Sequence, residues 1–166
     1  MNLTYRKAKL TDLDDIWDLV SRAIENMTES GIYQWDEIYP ARVDFETDIT
    51  NDQLYVGKAG GKIAVIFVIN KTSDPEYDDA HWSYTRENYR VIHRLCVDPD
   101  FQRCGIARKT MLYIESLLKS QGINSIRLDT FTQNSRALWL YESLGFRKTG
   151  YADWRKGRFV LLEKII

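Results

Sequence analysis

The stretch that decides the fold reads Leu95-Cys96-Val97-Asp98-Pro99-Asp100-Phe101-Gln102-Arg103-Cys104-Gly105-Ile106-Ala107-Arg108-Lys109. Its apolar start predicts the end of a strand, the proline-containing turn ends that strand, and a helix begins at Gly105. The first N–H groups of a helix have no partner inside the helix, and its dipole adds about half a positive charge there. The stretch therefore predicts an anion-binding loop suited to phosphate.

The residue types around this turn support that interpretation without deciding it. Gly105 allows the main chain to approach a ligand closely, and the small Ala107 keeps the first helical turn open. Arg103, Arg108 and Lys109 add positive charge. The glycine pattern matches neither a Walker A loop nor the Gly-x-Gly-x-x-Gly dinucleotide turn. From these residues alone, a phosphate site and a helix entry with solvated basic side chains stay equally open.

The rest of the chain surrounds this stretch with a regular order of elements. Apolar residues at steps of three and four predict an amphipathic helix that starts at an N-cap, Thr11, and ends near Gly31. Gly60-Gly61 predicts a hairpin turn. The predicted strands are 3–8, 53–59, 62–70, 89–97, 123–130, 146–154 and 158–164; three further helices are predicted at 41–50, 105–121 and 134–144.

This order predicts the fold class. We expect an α/β (mixed α+β) fold, with a central mixed, mostly antiparallel sheet of about seven strands flanked by about four helices. Neither an internal repeat nor a composition break is evident, so 1–166 is predicted to form a single domain.

Composition excludes several classes of protein. With 166 residues, 44% hydrophobic and 28% charged, the chain has enough apolar mass for one core. A net charge of −1 argues against a nucleic-acid binder that works by bulk charge. No apolar run approaches the roughly 20 residues needed to cross a bilayer, and the first residues lack the apolar centre of a signal peptide. Because two cysteines are too few for a disulfide scaffold, we expect a cytoplasmic protein.

The net charge hides an asymmetry along the chain. Residues 1–93 carry 10 basic and 17 acidic side chains, a sum of −7, whereas residues 94–166 sum to +6. Such a chain can offer an anion site in one part and a cation site in another. Simple pairing of opposite charges across one folded surface explains the asymmetry equally well.

Two segments together carry a resemblance to a known family. Gln102-Arg103-Cys104-Gly105-Ile106-Ala107 resembles the Gln/Arg-x-x-Gly-x-Gly/Ala loop of the GCN5-related N-acetyltransferases (GNAT family). The segment 134–146 is similar to the family's Asn-x-x-Ala-x-x-x-Tyr-x-x-x-Gly-Phe motif. Their spacing and the order of elements fit over nearly the whole chain. The departure is Ala107, where glycine is commoner.

The resemblance implies an N-acetyltransferase that moves an acetyl group from acetyl-CoA, its co-substrate, to a primary amine by direct transfer in a ternary complex. It implies that the main chain of Leu95, Cys96 and Val97 pairs with the pantetheine arm. It also implies that Asn134 hydrogen-bonds the cofactor and that Tyr141 lies near the sulfur. The residues implied to hold the pyrophosphate are Gln102, Arg103, Cys104, Gly105, Ile106 and Ala107.

Direct acyl transfer needs a neutral amine, a stabilised oxyanion and a proton for the leaving thiolate. The motif makes Tyr141 the candidate acid, although it shares a helix face with apolar residues and can simply fill the core. His93 and Glu37 are equal candidates for the base, with Asp36 as a rival and His81 as a weaker one. Strand alternation places His93 on the side of Leu95 and Val97 unless the strand carries a bulge. No metal site is expected.

The acceptor site is predicted from acidic and aromatic residues. We expect a small, cationic or amino-acid-like amine to lie against 33–39 and 74–84, through charge pairing and cation–π contact. Buried aromatic packing with solvated acids is the alternative, and Arg94 could equally recruit a carboxylate.

Other functions also stay open at this stage. They are a covalent acyl-enzyme on Cys96 or Cys104, an acyl-CoA sensor without turnover, and a protein or peptide N-acetyltransferase. Partners other than the amine, including nucleic acid and membrane, are not expected. Exposed edge strands near the C-terminus are compatible with a homodimer.

Overall fold

The computed structural model describes residues 2–166. The strands are β1 (Thr4–Lys7), β2 (Leu54–Ala59), β3 (Lys62–Asn70), β4 (Tyr89–Val97), β5 (Ser125–Phe131), β6 (Arg147–Trp154) and β7 (Gly157–Ile165). The helices are α1 (Leu13–Glu29), α2 (Arg42–Thr50), α3 (Ile106–Ser120) and α4 (Ser135–Ser143). The sheet has the order β1-β2-β3-β4-β5-β7-β6. The predicted fold class is confirmed, and the single domain over 1–166 stays a prediction.

Two local signals account for most of the regular structure in the first third of the chain. The β2–β3 turn needs two residues with positive φ, and Gly60 (56°) and Gly61 (84°) supply them. The apolar stripe of α1 is buried as its periodicity predicts. Its buried members are Leu13, Ile16, Leu19, Val20 and Ala23.

The start of α1 differs from the prediction. Thr11 lies inside a 3₁₀ turn, Leu10–Asp12, and Asp12 occupies the N-cap position of the helix. The Asp12 carboxylate accepts two bonds of 2.7 Å from the Arg6 guanidinium and one of 2.8 Å from the Lys9 amide. These charge-assisted bonds hold Asp12 against β1 and against the residue before the turn.

The contacts divide the chain into two compact units. Unit 1 holds the chain up to Ile69 together with Arg94–Met111, and unit 2 holds Asn70–His93 together with Leu112–Ile166. β4 and α3 each contribute residues to both units. In unit 1, α1 and α2 pack on β2 and β3 around the fully buried Ile16, Phe45, Val56 and Ile66.

Unit 2 is built on a three-strand antiparallel arrangement. β7 pairs with β5 from Ser125↔Ile165 to Phe131↔Phe159, and β6 pairs with the other edge of β7. The register of β4 with β5 is parallel and covers Tyr89–Val91 against Ser125–Arg127. A small apolar cluster under the 70–88 connection centres on Tyr77, Val91 and Leu161.

Among residues 2–166, the longest helices are too short or too polar to cross a bilayer.

Candidate active site

β4 carries a break in its strand geometry at Arg94. This residue has φ +53°, in the left-handed region that non-glycine residues rarely adopt. A residue in that conformation interrupts the two-residue repeat of a strand, as a bulge does. Strand alternation therefore does not require the His93 side chain to lie on the same side of β4 as Leu95 and Val97.

The predicted anion loop follows β4 in unit 1. A 3₁₀ turn, Pro99–Phe101, leads into a loop with positive φ at Arg103 (60°) and Gly105 (72°), and α3 starts at Ile106. No described atom lies within 4 Å of where a Gly105 side chain would start, so the main chain there is open to a ligand. Ile106 is buried among Leu95, Val97 and Phe101, which fixes the beginning of the helix.

A charge cluster holds the entry to this loop. The Arg22 guanidinium donates to both oxygens of Asp98, at 2.9 and 2.8 Å, and Asp98 also accepts from the Asp100 amide at 2.9 Å. The Asp98 amide donates to the Ala64 carbonyl at 2.9 Å. Although burial opposes its ionisation, Arg22 and the Asp100 amide hold the pKa of Asp98 below its usual value. The carboxylate thus stays charged and keeps the turn in place.

The loop has the features of the predicted anion site. The first amides of α3 point out of the helix end, Gly105 leaves them accessible, and the exposed Arg103 adds a positive charge beside them. An anion of high charge is the ligand that such a helix start favours.

Tyr141 lies on α4 in unit 2. Its side chain is buried, and its ring meets that of Phe146 edge-on with 5.7 Å between centroids. Burial and the nearby Asp129 charge raise the pKa of Tyr141, so its phenol stays protonated. The oxygen of Asn134 accepts from the Ala137 amide at 3.2 Å and so caps α4. That oxygen therefore has a structural task besides the cofactor contact predicted for it.

Asp129 is the residue that the sequence reasoning missed. It lies on β5, where it keeps some exposure, and the Tyr77 hydroxyl donates to its Oδ2 at 2.7 Å. Burial raises its pKa to about 6, although the Tyr77 hydrogen bond opposes that rise. A carboxylate that titrates close to neutral pH is suited to proton transfer. The available signal was the alternation in β5, which places charged Arg127 and Asp129 on one face of an apolar strand.

The predicted bases lie in different settings. His93 Nε2 lies 2.9 Å from Asn70 Oδ1 and 2.9 Å from the Thr72 carbonyl oxygen. Because a carbonyl oxygen can only accept, these contacts place a proton on Nε2. Glu37 is exposed in the 32–40 loop of unit 1. Asp36, the rival candidate, accepts hydrogen bonds from the Ile38 and Tyr39 amides, so its side chain stabilises a turn.

The two cysteines differ in reactivity. Cys96 is buried, and burial raises its pKa to about 12, so this thiol is not a nucleophile at neutral pH. Cys104 is exposed in the anion loop. Within residues 2–166, no group of three or more His, Cys, Asp and Glu side chains is arranged to hold a metal ion.

Unit 2 contains an open cavity of about 470 Å³ over the predicted acceptor segment. The Arg127 guanidinium lies at the cavity between the rings of Trp82 (4.3 Å) and Tyr89 (3.8 Å). The cavity is lined by Ser73, Tyr77, Asp78, Ala80, His81, Trp82, Thr85, Glu87, Tyr89 and Arg127. Tyr77 links it to Asp129, because this side chain lines the cavity and donates to that carboxylate.

The other predicted acceptor segment, 33–39, lies in unit 1 and is partly structural. Trp35 packs against the unit 1 core, whereas Tyr33 and Tyr39 are exposed. Arg94 does not present a free guanidinium to a carboxylate ligand, because it pairs with Asp48.

The mixed sheet, with β4 leading through an open loop into α3, is the fold on which the comparisons with known proteins bear. The chain belongs to the acetyltransferase (GNAT) family, whose model matches residues 14–146. A solved acetyltransferase-type structure from Staphylococcus aureus Mu50 is 32% identical, covers 98% of both chains and has a TM-score of 0.77. This family assignment confirms the predicted class, an N-acetyltransferase of the kind that uses acetyl-CoA.

Curated relatives match over a shorter region. The [ribosomal protein bS18]-alanine N-acetyltransferase of Salmonella typhimurium is 37% identical over 58 residues, which is 35% of this chain and 39% of that protein. The chain thus matches well under half the length of this relative. The PaiA N-acetyltransferase of Thermoplasma acidophilum, solved in complex with coenzyme A, has the same fold (TM-score 0.72, 19% identity, 100% of both chains).

Proposed function

We propose that this chain transfers an acetyl group from acetyl-CoA to a primary amine by direct transfer in a ternary complex. The observation that carries the proposal is the loop 102–107, which offers open main chain and helix-start amides to a diphosphate. Family membership and the coenzyme A complex of a relative with the same fold support this donor. The roles of Leu95, Cys96 and Val97 toward the pantetheine arm follow by main-chain pairing.

Asp129 is the base that we propose in place of His93 and Glu37, because its raised pKa suits proton transfer. At pH 7 a carboxyl with a pKa of about 6 is mostly ionised and can accept a proton. His93 has its Nε2 committed, and Glu37 is an exposed loop side chain. As the amine nitrogen bonds to the thioester carbon, its proton passes to Asp129, and the C–S bond then breaks.

Tyr141 acts as a hydrogen-bond donor toward the leaving sulfur, in place of the acid role that the motif suggested. Its raised pKa keeps the phenol neutral, so it donates a hydrogen bond to the developing thiolate. A thiol has a pKa of about 8.5, below that of this phenol. Full proton transfer from Tyr141 is therefore uphill, and the proton taken from the amine balances the thiolate. The expected effect of Tyr141 is on turnover rather than on coenzyme A affinity.

For the acceptor we propose a small cationic or amino-acid-like amine held at the unit 2 cavity. Asp78 brings negative charge to the lining, whereas the rings of Trp82 and Tyr89 already hold the Arg127 guanidinium. Charge pairing with a carboxylate suits an ammonium group. We also propose a cytoplasmic location, supported by two thiols that are not joined in a disulfide.

A second candidate is acetylation of a protein N-terminus. It is favoured by the names of the curated relatives, which are alanine N-acetyltransferases of a ribosomal protein. The two candidates differ in the acceptor alone, since both use the same donor loop.

One experiment separates the candidates. Purified protein is incubated with acetyl-CoA and either a panel of small amines or peptides with an N-terminal alanine, and free thiol is measured. Release with small amines supports the first candidate, and release only with peptides supports the second. Tight coenzyme A binding without release for any acceptor indicates a sensor. Absence of coenzyme A binding by calorimetry contradicts the whole proposal.

A further inference from the structure

The positive-φ irregularity of β4 at Arg94, called the β4 bulge below, coincides with an ion pair from Arg94 to a different element. Arg94 is the one described strand residue other than glycine with φ between +20° and +160°. Non-glycine residues persist in this region only where their surroundings fix them, and such positions cluster at functional sites. The structure shows what fixes this one.

Arg94 is anchored in a pocket of unit 1. Its Nη1 donates to Asp48 Oδ2 at 2.6 Å, and both side chains are largely buried, with 14% and 9% exposed. The guanidinium also lies over the rings of Tyr39 (5.5 Å) and Phe45 (5.9 Å). Asp48 and Phe45 belong to α2, which packs in the unit 1 core. A rigid helix therefore determines where the Arg94 side chain lies.

The anchored residue, Arg94, directly precedes the β4 segment that is proposed to pair with the acyl donor. Leu95, Cys96 and Val97 follow Arg94 in β4, and their N–H and C=O directions depend on the conformation at 94. Leu95 and Val97 pack in the cluster that contains Ile106, the first residue of α3. A change at Arg94 is thus expected to rotate the amides of this segment without displacing the buried cluster.

We infer that the Asp48–Arg94 pair is a positioning device that sets the β4 bulge and so aims the main chain of 95–97 at the thioester of the acyl donor. The expected effect on acetyl transfer rests on the proposed function. The expected effect on the conformation of 95–97 rests on the geometry alone. Neither residue is taken to touch the reacting atoms. Their effect passes through the β4 main chain.

The test compares variants that separate the anchor from the backbone conformation. R94A loses both, R94G keeps an unstrained positive φ but loses the anchor, and D48N removes the charge that holds Arg94. R94K restores a cation beside Asp48. The control is D14N, which breaks a different ion pair to α2, Arg42–Asp14, at the surface.

A misaligned reacting group costs up to about 100-fold in rate. We therefore expect kcat to fall about 10- to 100-fold in R94A, R94G and D48N, with the Kd for coenzyme A within about threefold of wild type. R94K recovers part of kcat, and D14N retains it. Wild-type kcat in folded R94G or D48N overturns the inference, as does a loss that appears only in the Kd.

A second measurement does not depend on catalysis. Amide hydrogen exchange of 95–97, followed by NMR or mass spectrometry, is expected to accelerate at least about tenfold in D48N and R94A relative to D14N. Unchanged exchange in these variants overturns the positioning role whether or not the wild type turns over any amine. If exchange accelerates in D48N and R94A while the wild type turns over no amine, the positioning role is supported and the proposed function is contradicted.

Discussion

Replacement of Asp129 by asparagine tests the proposed base. The asparagine side chain has the same shape and still offers an oxygen to the Tyr77 hydroxyl, but it cannot accept the proton of the amine. General-base catalysis contributes about 10²–10⁴-fold to rate, so D129N is expected to lose activity in that range. Coenzyme A affinity is expected to stay close to wild type.

The pH dependence gives a sharper expectation. With a pKa of about 6, Asp129 is roughly nine-tenths ionised at pH 7 and one-tenth ionised at pH 5. The wild type therefore loses about tenfold in kcat/KM over that interval from this group alone. Protonation of the amine substrate adds its own slope in both proteins. D129N is thus expected to lower the slope of log(kcat/KM) below pH 6 by one.

Although D129N is expected to lose activity, it is expected to gain stability at neutral pH. Because burial raises the pKa of Asp129 from 3.8 to about 6, the protonated form stabilises the fold. That contribution is complete below pH 3.8 and is lost as the pH rises through 6. At pH 7 the ionised carboxylate costs at most about 3 kcal/mol, which asparagine removes. D129N is therefore expected to melt several degrees higher at pH 7 and to show no gain near pH 3.8.

Both quantities are measured on the same preparations. Thiol release between pH 5 and 9 gives the slope, and thermal unfolding at pH 4 and 7 gives the stability difference. An inactive D129N that is also less stable at pH 7 indicates a structural carboxylate. A D129N with wild-type turnover and an unchanged acid limb removes Asp129 from the chemistry.

Three further variants test the remaining roles. Y141F is expected to lower kcat by about 10²-fold or more with little change in the calorimetric Kd for coenzyme A; unchanged turnover excludes Tyr141 as the hydrogen-bond donor to the sulfur. G105A and G122A each place a side chain at φ +72° with no described atom within 4 Å, so each is expected to cost about 1–2 kcal/mol of stability. Only G105A is expected to weaken coenzyme A binding. Equal Kd values for the two variants contradict the loop assignment. C104S is expected to retain turnover, and mass spectrometry that finds a stable acyl adduct on Cys104 in wild type contradicts direct transfer.

The order of elements could be predicted because each one carries a local signal. Strand β4 was predicted with the bounds that it has, since its residues are apolar and β-branched and a proline turn follows. Asn134 caps α4 as its side chain suggests. Thr11 failed as a cap because Asp12, one residue later, takes the N-cap position and is held by Arg6 of β1.

The candidate site was predictable only where chemistry follows a motif. Motif spacing singles out the loop 102–107 and Tyr141, whose roles stay predictions. Asp129 was missed because its meaning depends on Tyr77, which is 52 residues away in a connection without a regular pattern. The hydrogen bonds of His93 to Asn70 and Thr72 were equally hidden. Pairwise contacts of this kind depend on the folded chain and leave no periodic trace in the sequence.

The Arg22–Asp98 pair has a consequence for biosynthesis. Arg22 leaves the ribosome 76 residues before its partner, with only Asp18 beside it on α1. Until Asp98 emerges, this ion pair cannot hold the turn that precedes the loop 102–107. Nascent chains should therefore acquire coenzyme A affinity abruptly, after translation has passed α3, and stalled ribosome complexes of increasing length would report the codon at which it appears.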